Sequence, residues 1–350
     1  MEKGISLYPG LENTEEENLL LLEQAAAQGV TKVFMSLHIP ETDNKLLKQQ
    51  MGALLAKAQE LELEVIADVA GATQDFQGIS TLRLDDGFTL AEIARLTEKV
   101  KVQLNASTVT EDWLNQLKIA GADFTKVEAL HNFYPRRGTG LTEEFLEQQN
   151  QLLHKAGLKV GAFVPSQNGK RGPLKEGVPT LESARWQSVD LAGRHLAALG
   201  IDTVFIGDSK PSLSELKALA ALEGGRVVLQ VQPLSREPFA LELLQKTFTA
   251  RPDVARDGIR SLESRALAKN HTIPPENTTL RRPGCITLDN VSYGRYQGEL
   301  EIIKNLQPAD KRTNVIAQVE AGELFLLKYI RPLNKFSFKI VKNKTERSEK

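Results

Sequence analysis

Four carboxylates stand at or near the ends of short runs rich in β-branched residues: Asp68, Asp85, Glu128 and Asp208. Carboxylates that share one cavity can act as general acid, general base or nucleophile. Burying several of them without a task is unfavourable, so their concentration is informative. A pair of Asp or Glu residues with neighbouring amides is a common arrangement for cleaving a glycosidic bond. These four residues are therefore the candidate catalytic groups, and the roles of acid, base and nucleophile stay open among them.

Other side chains on these runs, and in the loops that follow them, are of types that hold a sugar or an anion. Hydroxyl, amide and imidazole groups form hydrogen bonds, aromatic faces stack on sugar rings, and arginine holds phosphate or carboxylate through a planar fork. The predicted substrate-binding residues are Ser6, His38, Arg83, Asn105, His131, Asn132 and Tyr134, together with Arg136, Lys170, Arg171 and Arg282 as candidates for a phosphate.

A lysine in the sixth run leaves a second chemistry open. Lys126 lies two residues before Glu128, and a desolvated lysine can form a Schiff base with the carbonyl of a sugar phosphate. The structural alternative is a charged lysine held between Glu128 and either Asp68 or Asp85. A Schiff-base aldolase or lyase is thus an alternative to a glycoside hydrolase. A non-catalytic protein that binds a sugar or a peptide is a third hypothesis.

These groups need a scaffold that gathers distant parts of the chain, and the first two thirds of the sequence has such a pattern. Short β-branched runs alternate with amphipathic stretches that end in glycine before the next run. The predicted strands are residues 4–8, 32–37, 64–69, 80–84, 100–105, 123–128, 159–164 and 203–207. Eight such repeats predict an α/β protein with a (β/α)8 TIM barrel at residues 1–225. An open doubly wound sheet is the alternative, although no G-x-G-x-x-G follows the first run.

Side-chain alternation along each strand predicts which groups meet. Residues i and i+2 point to the same side of a strand, so the fourth strand sets Leu82 and Leu84 against Arg83 and Asp85. We expect the apolar set to pack outward against the helices and the polar set to line the mouth at the carboxyl ends of the strands. Asp68, Asp85 and Glu128 should then share one opening.

Beyond residue 225 the pattern changes to short strands separated by Gly, Pro, Asn and Asp turns. The predicted strands are residues 226–232, 285–288, 299–303, 314–318, 323–329 and 336–341. Residues 226–350 therefore form a second, smaller and β-rich domain.

The composition of the chain limits which classes of binding partner we expect. The 44 basic and 45 acidic residues give a net charge of -1, which predicts no nucleic-acid partner and no membrane surface. Metal-ligand spacings of His and Cys do not occur, so we expect no metal and no cofactor. The first ten residues lack the apolar segment of a signal peptide, which predicts a cytoplasmic protein. The oligomeric state stays open.

Several motifs together resemble one bacterial family. They are Tyr8-Pro9-Gly10, Leu82-Arg83-Leu84-Asp85-Asp86-Gly87, Gln103-Leu104-Asn105-Ala106-Ser107, His131-Asn132-Phe133-Tyr134-Pro135-Arg136, Phe163-Val164-Pro165, Ile206-Gly207-Asp208 and Arg281-Arg282-Pro283-Gly284. The family has long been labelled "outer surface protein", and its characterised members are 6-phospho-N-acetylmuramidases. The resemblance covers essentially the whole chain.

This resemblance implies a TIM barrel followed by a cyclophilin-like C-terminal domain. It also implies a cytosolic glycosidase that cleaves the β-1,4 bond of N-acetylmuramic acid 6-phosphate–N-acetylglucosamine. That disaccharide is taken up by a phosphotransferase system during recycling of the cell-wall peptidoglycan. The substrate carries a phosphate and a lactyl carboxylate, which the basic loop residues would bind.

Overall fold

A computed structural model describes residues 1–36, 43–69, 78–85 and 87–341. The chain divides into two compact units, Met1–Gly224 and Gly225–Lys350. Among the described residues, no helix is long and apolar enough to cross a bilayer.

The first unit is a closed barrel of eight parallel strands in sequential order, as predicted. Its strands are β1 (Glu2–Leu7), β2 (Lys32–Ser36), β3 (Glu64–Val69), β4 (Thr81–Leu84), β5 (Lys101–Asn105), β6 (Val127–Leu130), β7 (Val160–Val164) and β8 (Thr203–Ile206). The helices are α1 (Glu15–Ala27), α2 (Asn44–Glu60), α3 (Leu90–Lys99), α4 (Glu111–Ile119), α5 (Glu143–Lys155), α6 (Val189–Ala198) and α7 (Leu213–Ala220).

Local sequence signals set the helix boundaries. Thr14, Thr89 and Ser212 begin α1, α3 and α7 with capping boxes, in which a Glu three residues later returns a hydrogen bond. After α5 the chain turns at Gly157, whose φ of 84° lies in the left-handed region that glycine adopts without strain. Each helix therefore stops in time for the next strand to start at the bottom of the barrel.

The inside of the barrel is mostly apolar along the middle of the strands. An aromatic plug, which we define as Tyr8, Phe34, Phe163 and Phe205, fills the interior together with Ile66 and Leu130. The Phe34 and Phe163 rings meet edge to face, with centroids 5.3 Å apart. The charged groups Lys32 and Glu128 lie at one end of this apolar interior, and Asp68 and Arg83 lie at the other.

The amino-terminal end of the barrel is closed by a buried lysine. Lys32 keeps only 3% of its side chain exposed, and its ammonium lies 3.2 Å from Glu128 and 3.3 Å from both Glu2 and Glu64. Burial alone would lower the pKa of Lys32, but the three carboxylates raise it above its usual value. This arrangement is a structural ion network.

The predicted strand 123–128 is wrong at its start. Phe124–Lys126 forms a 3₁₀ helix that Asp123 caps, and β6 begins at Val127. The Lys126 ammonium donates to the carbonyl of Glu98 at 2.8 Å, next to the end of α3 and outside the strand. Lys126 is therefore neither a Schiff-base lysine in the barrel nor a partner of Asp68, Asp85 or Glu128.

The second unit is a seven-stranded mixed sheet in the order β10-β15-β9-β14-β12-β13-β11. Its strands are β9 (Val227–Pro233), β10 (Thr247–Thr249), β11 (Gly258–Arg260), β12 (Cys285–Asp289), β13 (Leu300–Ile303), β14 (Thr313–Val319) and β15 (Lys335–Ile340), and its helices are α8 (Pro238–Leu243) and α9 (Ser264–Leu267). The expectation of a β-rich unit is confirmed, but the predicted strand 323–329 is wrong, because Ala321–Tyr329 forms 3₁₀ helix. Its cyclophilin-like character stays a prediction.

Candidate active site

The carboxyl ends of β3 and β4 bring a carboxylate and a guanidinium together. Asp68 and Arg83 stand opposite each other in the register of the two strands, and Arg83 Nη1 lies 2.9 Å from Asp68 Oδ1. The Ser36 hydroxyl donates to Asp68 Oδ2 at 3.3 Å. Arg83 is buried, whereas Asp68 keeps 15% of its side chain exposed. Because both of its oxygens accept hydrogen bonds, the orientation of the Asp68 carboxylate is fixed.

Asn132, in the loop after β6, is the third member of this cluster. Arg83 Nη2 donates to Asn132 Oδ1. The backbone of Asn132 is held on both sides, since its N–H donates to Ser107 Oγ at 3.0 Å and its carbonyl accepts the Thr180 hydroxyl at 3.0 Å. The structure therefore gathers Asp68, Arg83 and Asn132 in one place, and their contact with a substrate stays a prediction.

Asp85 is a second carboxylate at the same end of the barrel. It follows β4 by one residue and is exposed to solvent. Asn105, the last residue of β5, donates to Asp85 Oδ1 at 3.5 Å. Asp85 has the same parity as Arg83, so both side chains leave the same side of the chain. Asp85 therefore lies at the same end of the barrel as Asp68, with its side chain exposed in the described part of the chain.

Glu128 does not join this cluster, although Gln103 aligns it with Arg83 in the strand register. Its carboxylate bonds Lys32 at the amino-terminal end of the barrel. The reason is the stagger of a closed barrel: strands tilt, so residues in one hydrogen-bonded row descend along the axis from strand to strand. Parity predicted that Glu128 faces inward, but its height places it at the wrong end for catalysis with Asp68.

Asp208, just after β8, is completely buried and organises the loop that follows β7. Its carboxylate accepts the backbone N–H groups of Ser166 and Arg171 at 2.8 Å each, and that of Val178 at 3.4 Å. Burial raises the pKa of Asp208, and the backbone N–H groups oppose that effect. These contacts make Asp208 an anchor of this loop, and its catalytic role stays a prediction.

His131 is also placed away from a ligand. It is fully buried, and its ring contacts Asn150 of α5 at 3.0 Å through Nε2 and Ser107 Oγ at 3.3 Å through Nδ1. Burial lowers the pKa of His131 to about 4, which keeps the ring neutral. Leu130 faces the barrel interior, so alternation turns His131 outward against the helix layer. The prediction that His131 touches the sugar is therefore wrong.

Arg171, in the loop after β7, places a positive charge over the aromatic plug. Its guanidinium carbon lies 5.0 Å from the centre of the Tyr8 ring and 4.9 Å from that of Phe133. The residue is 7% exposed, and Arg171 Nε has no hydrogen-bond partner among the described residues. Among the residues that the structure describes, no carboxylate forms an ion pair with it. A buried guanidinium in this state calls for an anion.

Arg171 and the Asp68–Arg83 pair belong to the same mouth. Phe133 packs against Arg171, and Asn132, the residue before it, binds Arg83. The Phe133 ring also meets Phe34 edge to face across the barrel, with centroids 6.0 Å apart. Two consecutive residues therefore connect the cation to the carboxylate cluster.

The remaining predicted substrate-binding residues of the loops after β6 and β7 are more exposed than Arg171. The Lys170 ammonium stacks 3.8 Å from the centre of the exposed Trp186 ring, and burial lowers the pKa of Lys170. Arg136 is exposed. Tyr134 is half-buried, and its backbone N–H donates to the carbonyl of Pro179 at 2.9 Å.

Three further predicted residues have other outcomes. Ser6 is completely buried, because it lies two residues below Tyr8 inside the barrel and the aromatic plug covers it. Its predicted contact with substrate is wrong. His38 lies outside the described residues. Arg282 is exposed in the second unit, in the turn before β12, and its role stays a prediction.

Sequence reasoning missed the groups that support the cluster. Ser36 could have been found, because it has the parity of Phe34 and pairs with Asp68 in the register of β2 and β3. The buried Arg185 had no such signal. It donates to Glu182 and to the carbonyl of Arg136, and Arg185 lowers the pKa of Glu182 to about 2. This pair fixes the loops after β6 and β7 relative to each other.

The donor set of the described residues suits acid–base chemistry. No group of His, Cys, Asp and Glu in the described part of the chain has a geometry that could hold a metal ion. The mouth instead offers an anionic carboxylate, an exposed carboxylate and a buried cation. Such a set can bind an anionic sugar, stabilise positive charge at a reacting carbon and exchange a proton.

Comparisons with known proteins agree with this chemistry. Residues 3–221 match the family model described as 6-phospho-N-acetylmuramidase, N-terminal, and residues 227–339 match its C-terminal counterpart. A crystal structure of an uncharacterized B. cereus protein has 29% sequence identity and a TM-score of 0.85, with 97% of this chain and 99% of that chain covered. A protein of unknown function from Enterococcus faecalis has 32% identity and a TM-score of 0.68, with 100% and 98% covered. Curated proteins give no match.

Proposed function

The chain belongs to the 6-phospho-N-acetylmuramidase family of glycosidases, and from this premise we propose that it hydrolyses N-acetylmuramic acid 6-phosphate–N-acetylglucosamine at the β-1,4 bond. Water adds across the bond between the anomeric carbon and the bridging oxygen, which gives N-acetylmuramic acid 6-phosphate and N-acetylglucosamine. The reaction takes place in the cytoplasm and serves the recycling of cell-wall fragments.

The observation that carries this proposal is the pairing of two features across one mouth. One is the Asp68–Arg83–Asn132 cluster, with hydrogen bonds on both Asp68 oxygens. The other is the Arg171 guanidinium, buried without a counterion among the described residues. A neutral disaccharide would leave that guanidinium unpaired, whereas a phosphosugar supplies its anion.

Asp68 has the surroundings of the group that remains negative during the reaction. The transition state of glycoside cleavage carries positive charge at the anomeric carbon, and a fixed carboxylate at the mouth stabilises that charge. Arg83 and Ser36 hold the carboxylate in place. Its negative charge can act directly on the sugar or polarise the N-acetyl group for attack.

Asp85 is the proposed proton donor to the leaving oxygen. It is exposed at the carboxyl end of β4, whereas the Glu128 carboxylate bonds Lys32 and the buried Asp208 carboxylate accepts backbone N–H groups of the loop after β7. Among the described residues, a long hydrogen bond of 3.5 Å from Asn105 contacts it, which allows the carboxyl group to turn toward a bound sugar. General acid catalysis requires a group that can reach the bridging oxygen.

Arg171 is the proposed phosphate ligand. The Arg171 guanidinium lies over the Tyr8 and Phe133 rings, and its N–H groups are suitable donors for the oxygens of a phosphate. Lys170 and Arg136 lie in the loops beside it and add positive charge. The lactyl carboxylate of the same sugar is a second anion for these loop cations.

Substrate comparison tests the proposal directly. The purified protein should split the 6-phosphorylated disaccharide and leave the unphosphorylated one essentially intact. Product release is followed by chromatography of both sugars with equal enzyme and substrate concentrations. Equal rates on the two disaccharides would refute the phosphate assignment, and inactivity on both would refute the substrate.

A further inference from the structure

Behind the mouth, a chain of hydrogen bonds runs from the helix layer to Asn132, and its direction is fixed at the outer end. Asn150, in α5, donates through Nδ2 to the carbonyl of Leu199 at 2.9 Å. A carbonyl can only accept a hydrogen bond. The Asn150 amide is therefore oriented with its Oδ1 atom toward His131, where Nε2 lies 3.0 Å away.

This orientation sets the tautomer of His131. Because Asn150 Oδ1 can only accept, His131 Nε2 must carry a hydrogen. The ring is neutral, since burial lowers the pKa of His131 to about 4. A neutral imidazole has one N–H group, so Nδ1 is an acceptor, and it lies 3.3 Å from Ser107 Oγ.

Ser107 connects His131 to the Asp68–Arg83–Asn132 cluster by hydrogen bonds. Its hydroxyl has one hydrogen, which it donates to His131 Nδ1, so its lone pairs face the other way. They accept the backbone N–H of Asn132 at 3.0 Å. The next link is the Asn132 side chain, whose Oδ1 accepts from Arg83 Nη2.

We propose that His131 is a positioning residue: as the Nε2–H tautomer it directs the Ser107 hydroxyl, which holds Asn132 and thereby orients the Arg83 guanidinium beside Asp68. His131 lies between the barrel and the helix layer, and both of its ring nitrogens have hydrogen-bond partners there. In the hydrogen-bond chain that runs from Leu199 to Arg83, every donor faces an acceptor. A reversed tautomer would leave Asn150 Oδ1 facing a lone pair and would make the Ser107 hydroxyl accept from Nδ1 instead of donating to it.

The proposal rests on the proposed function only where activity is the readout, because the tautomer can be measured without substrate. Long-range ¹H–¹⁵N NMR of histidine-labelled protein should show His131 near neutral pH with a hydrogen on Nε2 and none on Nδ1. An Nδ1–H tautomer or a charged ring at that pH would overturn the proposal whatever the protein hydrolyses. Failure of the wild-type protein to cleave the phosphorylated disaccharide would instead count against the proposed function alone.

The kinetic test removes the hydroxyl between His131 and the cluster. Ser107→Ala should lower kcat about tenfold and leave KM within about twofold, because misorientation of Arg83 affects the transition state more than substrate binding. Ser107→Thr keeps a hydroxyl and should recover most of the loss. The matched control is Ser80→Ala, since Ser80 Oγ also accepts a backbone N–H, that of Val65 at 3.1 Å, ahead of β4. Wild-type kcat in Ser107→Ala, or an equal loss in Ser80→Ala, would overturn the proposal.

Discussion

Arg83 donates to Asp68 at 2.9 Å across the register of two adjacent barrel strands, and the same guanidinium donates to Asn132. The Arg83 side chain therefore spans three elements: β3, β4 and the loop after β6. Any displacement of one of them changes the direction of the Asp68 carboxylate. The catalytic assignment of Asp68 has the most direct geometric support in this molecule.

Asp68→Asn should abolish most of the activity while the fold persists. The amide retains the size of the carboxyl group but loses the negative charge that stabilises the reacting carbon, so kcat/KM should fall by about a thousandfold or more. Hydrolysis of the phosphorylated disaccharide measures the loss, and circular dichroism checks the fold. Asp112→Asn, on the exposed face of α4, is the matched control and should behave as wild type. Retention of a tenth of the activity in Asp68→Asn would contradict the assignment.

Arg171→Met should reduce the preference for a phosphorylated substrate. The methionine keeps the apolar contact with Tyr8 and Phe133 but removes the N–H groups that bind the anion, so kcat/KM should fall about a hundredfold for the phosphorylated sugar. The already low rate on the unphosphorylated sugar should change little. Arg95→Met, on the surface of α3, serves as control. A parallel loss on both sugars would point to a structural role for Arg171.

Alternation along the strands predicted the side on which a residue lies but not its height in the barrel. Asp68 and Glu128 both face inward by parity, yet the tilt of the strands separates them along the axis. Glu128 ends beside Lys32, and Asp68 at the mouth. The register that decides this is a property of barrel closure, which pairs strands far apart in sequence.

The alternation of side chains along the strands also could not predict the hydrogen bonds made by the loops. The partners of Asp208 are backbone N–H groups of a loop, and backbone groups leave no mark in the sequence. By contrast, the outward direction of His131 was available from sequence, because Leu130 and Asn132 on either side share the opposite parity. We predicted a substrate contact for His131 because its side chain is polar. Its parity along the strand predicts the observed outward direction correctly.

Lys32→Met should destabilise the protein without impairing its catalytic steps. Removing the ammonium leaves Glu2, Glu64 and Glu128 facing one another at the barrel bottom, and breaking a buried ion network of this kind lowers the free energy of unfolding by about 3–5 kcal/mol. Urea unfolding measures the change, and kcat of the folded fraction should match wild type. Lys57→Met removes a lysine that bonds two surface glutamates, Glu23 and Glu60, and should cost about 1 kcal/mol or less.

Glu128→Gln separates the structural role of that carboxylate from a catalytic one. Lys32 keeps two other carboxylates, Glu2 and Glu64, in this variant, so the protein should remain folded. Its kcat on the phosphorylated disaccharide should lie within about twofold of wild type, because the Glu128 carboxylate is at the opposite end of the barrel from Asp68. A loss comparable to that of Asp68→Asn would show that Glu128 takes part in the reaction.

Two histidines should give opposite pH dependences of stability. The pKa of His131 is lowered to about 4 because it is buried, so the unfolded chain binds the extra proton first. The contribution of the neutral His131 ring to the free energy of unfolding is complete above the usual pKa near 6.5. It is lost as the pH falls from there toward 4, by about 3 kcal/mol in total. His154 differs, since its hydrogen bond to Asp202 raises its pKa. That contribution is present below pH 6.5 and is lost as the pH rises through the raised pKa.

Urea unfolding at a series of pH values distinguishes the two effects. His131→Gln should flatten the loss of stability between about pH 6.5 and 4, because the variant has no buried imidazole to protonate. His154→Gln should leave that loss in place and remove only the decline on the alkaline side. A wild-type acid slope in His131→Gln would mean that the ring is already charged in the folded protein. A charged ring has a hydrogen on both nitrogens, and the Ser107 hydroxyl could no longer donate to it, so the same titration also bears on how Asn132 is held.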